Sequence, residues 1–361
     1  MTRRGSAGFA RGVCSLQLNE MTLTLGIETS CDETAAAVVR GGREILSNIV
    51  ASQEEMHAHF GGIVPEVASR RHAELITAVV ERALAEAEAQ WSDLDLLAVT
   101  RGPGLVGSLL VGVSAAKGYA LATGLPLVGV NHIAGHITSS FLLASEDHEP
   151  APMEFPVLAL VASGGHSDLA LVEGLGDYRL VGFTRDDAAG EALDKAARLL
   201  GLGYPGGPAI ERAAADGDPK AVALPRPDTR EGFEFSFAGL KTALVRVLEP
   251  GGVEASDYAV GDLAAAFQQA VVDCLVRETI EAARHFDARQ IIVAGGVAAN
   301  KTLRNEMHNA ACKAGLDAYF PPMWLCTDNA SMVAAAGHFR ASLESPDGLD
   351  MEVDSALQLV S

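Results

Sequence analysis

Val157-Leu158-Ala159-Leu160-Val161-Ala162-Ser163-Gly164-Gly165-His166-Ser167-Asp168-Leu169-Ala170-Leu171-Val172 reads as an apolar strand, a tight polar loop and a second apolar strand. Short apolar runs bounded by Ser and Gly are the pattern of strands buried in a sheet. A third strand is expected at 178–184 and a helix at 187–200. The stretch decides the fold because the same order already stands upstream. There, 22–27 is an apolar strand, 28–34 a polar connection, 35–39 a second strand and 44–49 a third. A helical pattern over 65–89, a strand at 94–100, a glycine-rich turn, a helix near 106–122 and a strand at 126–130 complete a βββαβα unit. Downstream of the second βββ come a long helix near 262–285, a strand at 290–294, a helix from Ala298 and a last helix from Asp328. Two copies of one α/β unit facing across a cleft is the economical architecture. The expected division is a first lobe of 22–130 with 326–350, a second, nucleotide-binding lobe of 131–325, and a loosely held tail at 351–361. The acidic, Pro-containing stretch 145–155 marks the seam.

Bulk properties narrow the class. A chain of 361 residues exceeds one comfortable core. Five cysteines, odd in number and never in a CxxC pair, suit free thiols in a reducing cytosol rather than a disulfide framework. A net charge of −20 argues against autonomous nucleic-acid binding, which depends on neutralising phosphates. No uninterrupted apolar stretch spans a bilayer, since the most apolar window, 105–130, is broken by Lys117, Gly124 and Pro126. Residues 1–21 carry Arg3, Arg4 and Arg11 against Glu20, as a presequence does, but the stretch is short and Met21 opens the first clear strand, so a disordered or misassigned extension is expected.

Several motifs carry chemistry. Gly102-Pro103-Gly104-Leu105-Val106-Gly107 follows a strand and opens a helix, as a dinucleotide fingerprint does. That fingerprint needs an acidic residue about 20 positions on, and none lies between Asp95 and Glu146. The NAD reading therefore fails. Three further glycine loops, at 163–166, 204–208 and 294–300, suit backbone approach to an anion without a Walker sequence. Asp194 and Asn300 offer groups for a base or ribose. Glu28-Thr29-Ser30-Cys31-Asp32-Glu33-Thr34 packs carboxylates and hydroxyls more densely than a hairpin turn requires.

His132 and His136 lie four apart after an apolar strand, so on a helix both rings leave one face. Two unrelated surface histidines are the bland alternative. Ile133 stands where a zinc protease has its glutamate, which removes peptide hydrolysis by that route. A metal held here needs a third ligand. Cys326-Thr327-Asp328-Asn329-Ala330 places a carboxylate at a helix start, where Asp328 can cap the helix and carry a functional role as well.

Together these motifs resemble the TsaD family of tRNA threonylcarbamoyladenosine transferases, within the actin- and hexokinase-like ATPase superfamily. The likeness rests on Gly26–Thr34, Gly61–Arg70, Gly102–Gly107, Asn131–His136, Ser163–His166, Asp186–Lys195, Tyr204–Pro208, Phe235–Thr242, Ala294–Asn300 and Cys326–Ala330. It covers about 23–340. One departure is Ala134, where family members often carry Glu. The resemblance implies duplicated RNase H-like units around a cleft. It implies one divalent metal per subunit, usually iron, on His132, His136 and Asp328, although the ligand types suit zinc equally. Substrate contacts would fall to Val161, Ala162, Ser163, Gly164, Gly165, Asp194, Gly207 and Asn300, and catalytic roles to His166, Asp32 and Glu33.

The implied reaction joins threonylcarbamoyl-AMP to N6 of the adenosine at position 37 of tRNAs reading ANN codons, releasing AMP, in the cytoplasm and away from any membrane. TsaB-like and TsaE-like partners and a TsaC-type enzyme supplying the adenylate complete the implied assembly. A stand-alone ATPase or kinase, or a non-catalytic scaffold, would share the fold but not the metal-spaced residues.

Overall fold

The computed structural model describes residues 18–144, 149–226, 232–248, 253 and 256–359. Most of the expected N-terminal extension and part of the acidic seam thus lie outside the described residues. The first sheet is built from β1 (Leu23–Glu28), β2 (Glu33–Arg40), β3 (Glu44–Ser52), β4 (Leu96–Gly102) and β5 (Leu127–Asn131). Between them run α1 (Glu54–Ala58), α2 (Pro65–Glu86) and α3 (Val106–Thr123), and α4 (His132–Ser139) follows β5 directly. The second sheet holds β6 (Val157–Ala162), β7 (Ser167–Gly174), β8 (Asp177–Gly182), β9 (Gln290–Ala294) and β10 (Asp317–Tyr319). Its helices are α5 (Ala189–Leu199), α6 (Gly206–Ala214), α7 (Ala238–Leu248), α8 (Val260–His285), α9 (Lys301–Ala314) and α10 (Met323–Cys326), and α11 (Ala330–Leu343) closes the chain's regular structure.

The strand orders are β3-β2-β1-β4-β5 and β8-β7-β6-β9-β10. In each, two antiparallel hairpins are followed by two parallel additions. The duplication read from the apolar runs is therefore a duplication of topology. It places the β1–β2 loop and the β6–β7 loop at equivalent corners of the two sheets. Equally, the glycine turn before α3 corresponds to the one before α9.

Each sheet is covered on both faces, which is why its central strands read as continuous apolar runs. On the first, Leu25, Ile27, Ala36 and Val38 pack against Ile76, Val79 and Val80 of α2 and Val113 and Ala116 of α3. The other face receives α11 through Ala98, Val130, Met332 and Val333. Gly26 allows this: a Cβ there would sit 2.3 Å from Ala330 O. On the second sheet, Leu158, Leu160 and Leu169 join the core of α5 to α9. Its opposite face packs Ala159, Val161 and Ala170 on Ile133, Ala134 and Ile137 of α4. Helices α4 and α11 thus lie between the sheets.

Two expectations change. The segment expected to be a loose tail is docked, because a backbone carbonyl near the end of β4 and the Asn131 side chain at the end of β5 pair with it. Asp354 N–H donates to Arg101 O (2.9 Å) and Asn131 Nδ2 donates to Gln358 O (3.1 Å). Met351 is buried in the first core and Leu359 beside β6 and β7. Secondly, α3 is by length and composition apolar enough to cross a membrane, since Lys117 lies within a helix that closes only at Gly124, φ 76°. Its inner residues Leu109, Gly112, Val113, Ala116 and Ala120 are buried on the sheet.

Candidate functional site

Asn131 ends β5 and caps α4, its side chain accepting from Ile133 N (2.8 Å) and Ala134 N (3.3 Å). That cap fixes His132 as the first helical residue and His136 one turn later. Their ring centroids are 4.6 Å apart and nearly perpendicular. Asp328 completes the group: its Oδ1 lies 3.6 Å from His132 Nε2 and 3.2 Å from His136 Nε2. Asp328 is not the helix cap. Asn329 takes that role by accepting from Met332 N (3.1 Å), which leaves the Asp328 carboxylate free to face the imidazoles.

Glu28, whose role the sequence reading did not assign, stands behind His132. Its fully buried carboxylate lies 3.2 Å from His132 Nδ1 and accepts from Thr100 Oγ1 (2.7 Å) and from the Ser30 amide. A carboxylate only accepts, so Nδ1 carries the hydrogen toward Glu28, which leaves Nε2 as the nitrogen facing Asp328 and available to a ligand that displaces its proton. This is the carboxylate–histidine arrangement that orients a metal ligand. Its sequence signal is an acidic residue ending an otherwise apolar strand.

Electrostatics follow from these contacts. Burial alone would lower the His132 pKa, but the charges of Asp328 and Glu28 raise it to about 9. Burial would raise Asp328; the facing histidines hold it well below the usual carboxylate range instead. His136 is fully buried; among the described residues its Nδ1 has no hydrogen-bond partner, and its Nε2 has only the poorly aligned approach to Asp328 Oδ1 at 3.2 Å. Unsatisfied buried imidazole nitrogens beside a carboxylate fit a divalent cation. The three ligand atoms lie within 4.8 Å of one another, as one ion requires.

The β6–β7 loop meets this cluster. Ser163 and His166 bond to each other through Ser163 N to His166 O (2.8 Å) and His166 N to Ser163 Oγ (3.2 Å). The His166 ring centroid is 6.4 Å from that of His132. Burial and the neighbouring histidine charges lower His166 to about 4, so its ring is neutral at pH 7. Gly164 and Gly165 are exposed, and a Cβ on either would meet nothing within 4 Å. Gly190, which the sequence reading passed over, brings α5 against this loop, since its Cβ would lie 2.6 Å from Ser163 O.

The remaining expected residues divide. Val161 and Ala162 are fully buried and sheet-paired, so they carry the loop rather than present side chains to the cleft. Asp194 Oδ1 accepts from Gly206 N (2.7 Å) and thereby starts α6, while Gly207 faces open space. Asn300 is committed at both ends: it accepts from Leu303 N (3.0 Å) as the cap of α9 and donates to Gln268 Oε1 (2.8 Å). Asp32 and Glu33 lie on the opposite corner; Glu33 begins β2 rather than belonging to the loop. Burial, then the charges of Asp328 and Asp32, push the Glu33 carboxyl well up. From α5, Arg198 Nη2 reaches across to Gly61 O (2.7 Å).

Two sheets of one topology, joined by a central helix pair and fronted by opposed loops, define an α/β protein of the actin- and hexokinase-like type. Solved structures agree on the fold: HypF from T. kodakarensis matches with TM-score 0.61 and 16% identity over 93% of this chain. The chain spans about half of HypF, 49% of its length. The activator of 2-hydroxyisocaproyl-CoA dehydratase from Clostridium difficile matches with TM-score 0.50 and 12% identity, over 89% of this chain and 96% of its own. The family TsaD, tRNA N6-adenosine threonylcarbamoyltransferase, matches residues 44–335, and the chain belongs to it. Relatives of that name include those of Symbiobacterium thermophilum, 55% identical over 88% of this chain and 91% of theirs, and Geobacillus thermodenitrificans, 53% identical over 89% and 92%. That of Dehalococcoides mccartyi is 52% identical over 93% of this chain and 99% of its own.

Proposed function

We propose that this chain transfers the threonylcarbamoyl group of threonylcarbamoyl-AMP to N6 of the adenosine at position 37 of tRNAs reading ANN codons. The observation that carries this reading is the convergence of His132, His136 and Asp328 with the Ser163–His166 loop, in a chain of the TsaD family. In the transfer, the N6 lone pair attacks the carbamoyl carbon, the bond from that carbon to the phosphate oxygen breaks, AMP departs and N6 releases a proton.

His132, His136 and Asp328 would hold one divalent ion, and the two imidazoles with a carboxylate suit Fe2+ or Zn2+. When bound, such an ion supplies Lewis acidity to the oxygens of the acyl phosphate. Glu28 keeps His132 in the tautomer that presents Nε2. The Gly164 and Gly165 amides approach the phosphate because nothing but hydrogen covers their Cα atoms. His166, neutral at pH 7, donates a hydrogen bond to the developing charge without adding a competing cation. The threonyl end and the departing proton fall to Asp32 and Glu33, of which Glu33 holds its proton more firmly than an ordinary carboxylate. The adenosine rests on the glycine loops of the second lobe, with Asp194, Gly207 and the Asn300 turn framing it, and the acyl phosphate points to the histidines.

A net charge of −20 leaves tRNA capture to an assembly with TsaB-like and TsaE-like proteins in the cytoplasm, fed by a TsaC-type enzyme. His136→Ala tests the site: bound metal, read by elemental analysis, and transfer are both lost while the melting transition stays cooperative. Full transfer by metal-free protein contradicts the reading.

A further inference from the structure

His72 is fully buried on α2, yet it is no ordinary core residue, for both its ring nitrogens reach the β1–β2 corner. His72 Nε2 lies 3.0 Å from Cys31 O and Nδ1 lies 2.8 Å from Thr34 Oγ1. A carbonyl oxygen can only accept, so Nε2 carries the hydrogen and Nδ1 accepts from the Thr34 hydroxyl. Burial lowers the pKa of this imidazole, which keeps it in that neutral form. Between the two anchored residues stand Asp32 and Glu33. Gln53 supplies the middle restraint, its N–H donating to Asp32 O (3.0 Å), and its side-chain amide also faces His72 Nδ1 (3.4 Å). Elsewhere the corner is tied by Leu105 N to Ser30 O (2.8 Å) and Thr29 Oγ1 to Ser108 O (2.9 Å). Those bonds hold the stretch before the acidic pair. Ser52 Oγ donates to Glu33 Oε1 (3.2 Å) from one side, whereas the His72 ring bonds on both sides of the acidic pair.

We propose that His72 is a positioning residue for acyl transfer: by bonding Cys31 O and Thr34 Oγ1 it fixes the backbone flanking Asp32 and Glu33 and aims their carboxylates into the cleft. The proposal rests on the transferase reading given above. A two-ended polar clamp is what precise aiming needs, because a displacement of about 1 Å far from the reacting atoms can cost a hundredfold in rate. The isosteres differ usefully. Gln places an amide nitrogen where Nε2 stands and keeps the Cys31 bond, whereas Leu fills the volume and keeps neither.

The test compares the wild-type chain, His72→Leu and His72→Gln in the full assembly with threonylcarbamoyl-AMP and tRNA. Hydrogen exchange of the segment 29–53 is followed in parallel. His72→Leu should lower kcat by about tenfold to a hundredfold with KM for the adenylate within about twofold, since adenosine is held by the other lobe. AMP affinity by calorimetry should stay unchanged, exchange across 29–53 should quicken, and His72→Gln should restore a substantial part of kcat. Unchanged kcat in His72→Leu overturns the proposal. So does a parallel loss of AMP binding, or a His72→Gln variant no better than His72→Leu. If the wild-type chain itself transfers nothing, the functional reading fails, and exchange across 29–53 alone decides whether His72 clamps the corner.

Discussion

His132 shows how much one residue's setting decides. Its Nδ1 meets Glu28 and its Nε2 meets Asp328, so one imidazole is held between two carboxylates from different ends of the chain. The spacing of His132 and His136 was legible in the sequence because helical geometry makes four-apart residues neighbours. Glu28 was not, since nothing local says which buried strand end a histidine will face. Asp168 carries a cleaner consequence. It sits opposite Val161 on β7, and burial alone pushes its carboxyl up to about 6. A folded-state pKa above the unfolded value favours folding below that unfolded value, and the benefit disappears as pH rises through about 6. At pH 7 the half-buried charge is a cost. Asp168→Asn should therefore stabilise the protein by about 1–3 kcal/mol at pH 8 and by much less at pH 4.5. Denaturant titrations at the two pH values check this, and an equal gain at both would refute it.

At the scale of elements, apolar runs located most strands and long helices to within a few residues. The exceptions have physical reasons. Helix α6 opens on Gly206-Gly207-Pro208, which reads as a turn, and it forms because Asp194 caps it from α5. Helix α7 likewise starts where Asp186 accepts from Phe237 N (2.7 Å), a partner 51 residues away. Strand β10 has three residues and exists through its pairing with β9. Glycines that look alike in sequence also separate here. A Cβ at Gly190 would strike the Ser163–Gly164 backbone, whereas one at Gly296 meets nothing within 4 Å. Gly190→Ala should cost about 1–3 kcal/mol of stability and weaken AMP binding together. Gly296→Val should weaken AMP binding while leaving the melting transition in place. Calorimetric titration of both variants decides; unchanged AMP affinity in Gly296→Val would mean the adenosine lies elsewhere.

Across the whole molecule, the segment after α11 acts as a strap. Asp347 receives Gly129 N–H (2.8 Å) and Arg340 Nη1 (2.6 Å) at the edge of the first sheet. Beyond it, Met351 enters the first core and Leu359 the face of the second sheet. A cavity of about 170 Å³ remains beneath, lined by Arg101, Asn131, Tyr178 and Leu357 among others. Long-range docking of this kind has no periodicity, which is why the segment reads as a loose tail. A fully buried Met or Leu cut to Ala costs about 2–5 kcal/mol. Deleting residues 349–361 should thus lower the melting temperature clearly and speed exchange at β5 and β6, whereas an unchanged transition would mean the strap binds without stabilising.

The central claim is group transfer to tRNA by the two-lobed cleft. Threonylcarbamoyl-AMP labelled in its carbamoyl carbon, incubated with the full assembly and tRNA, tests it most directly. The account predicts label in N6-modified adenosine of the tRNA in step with AMP release, abolished by His136→Ala. AMP release with no label in the tRNA would make the protein a hydrolase and contradict it.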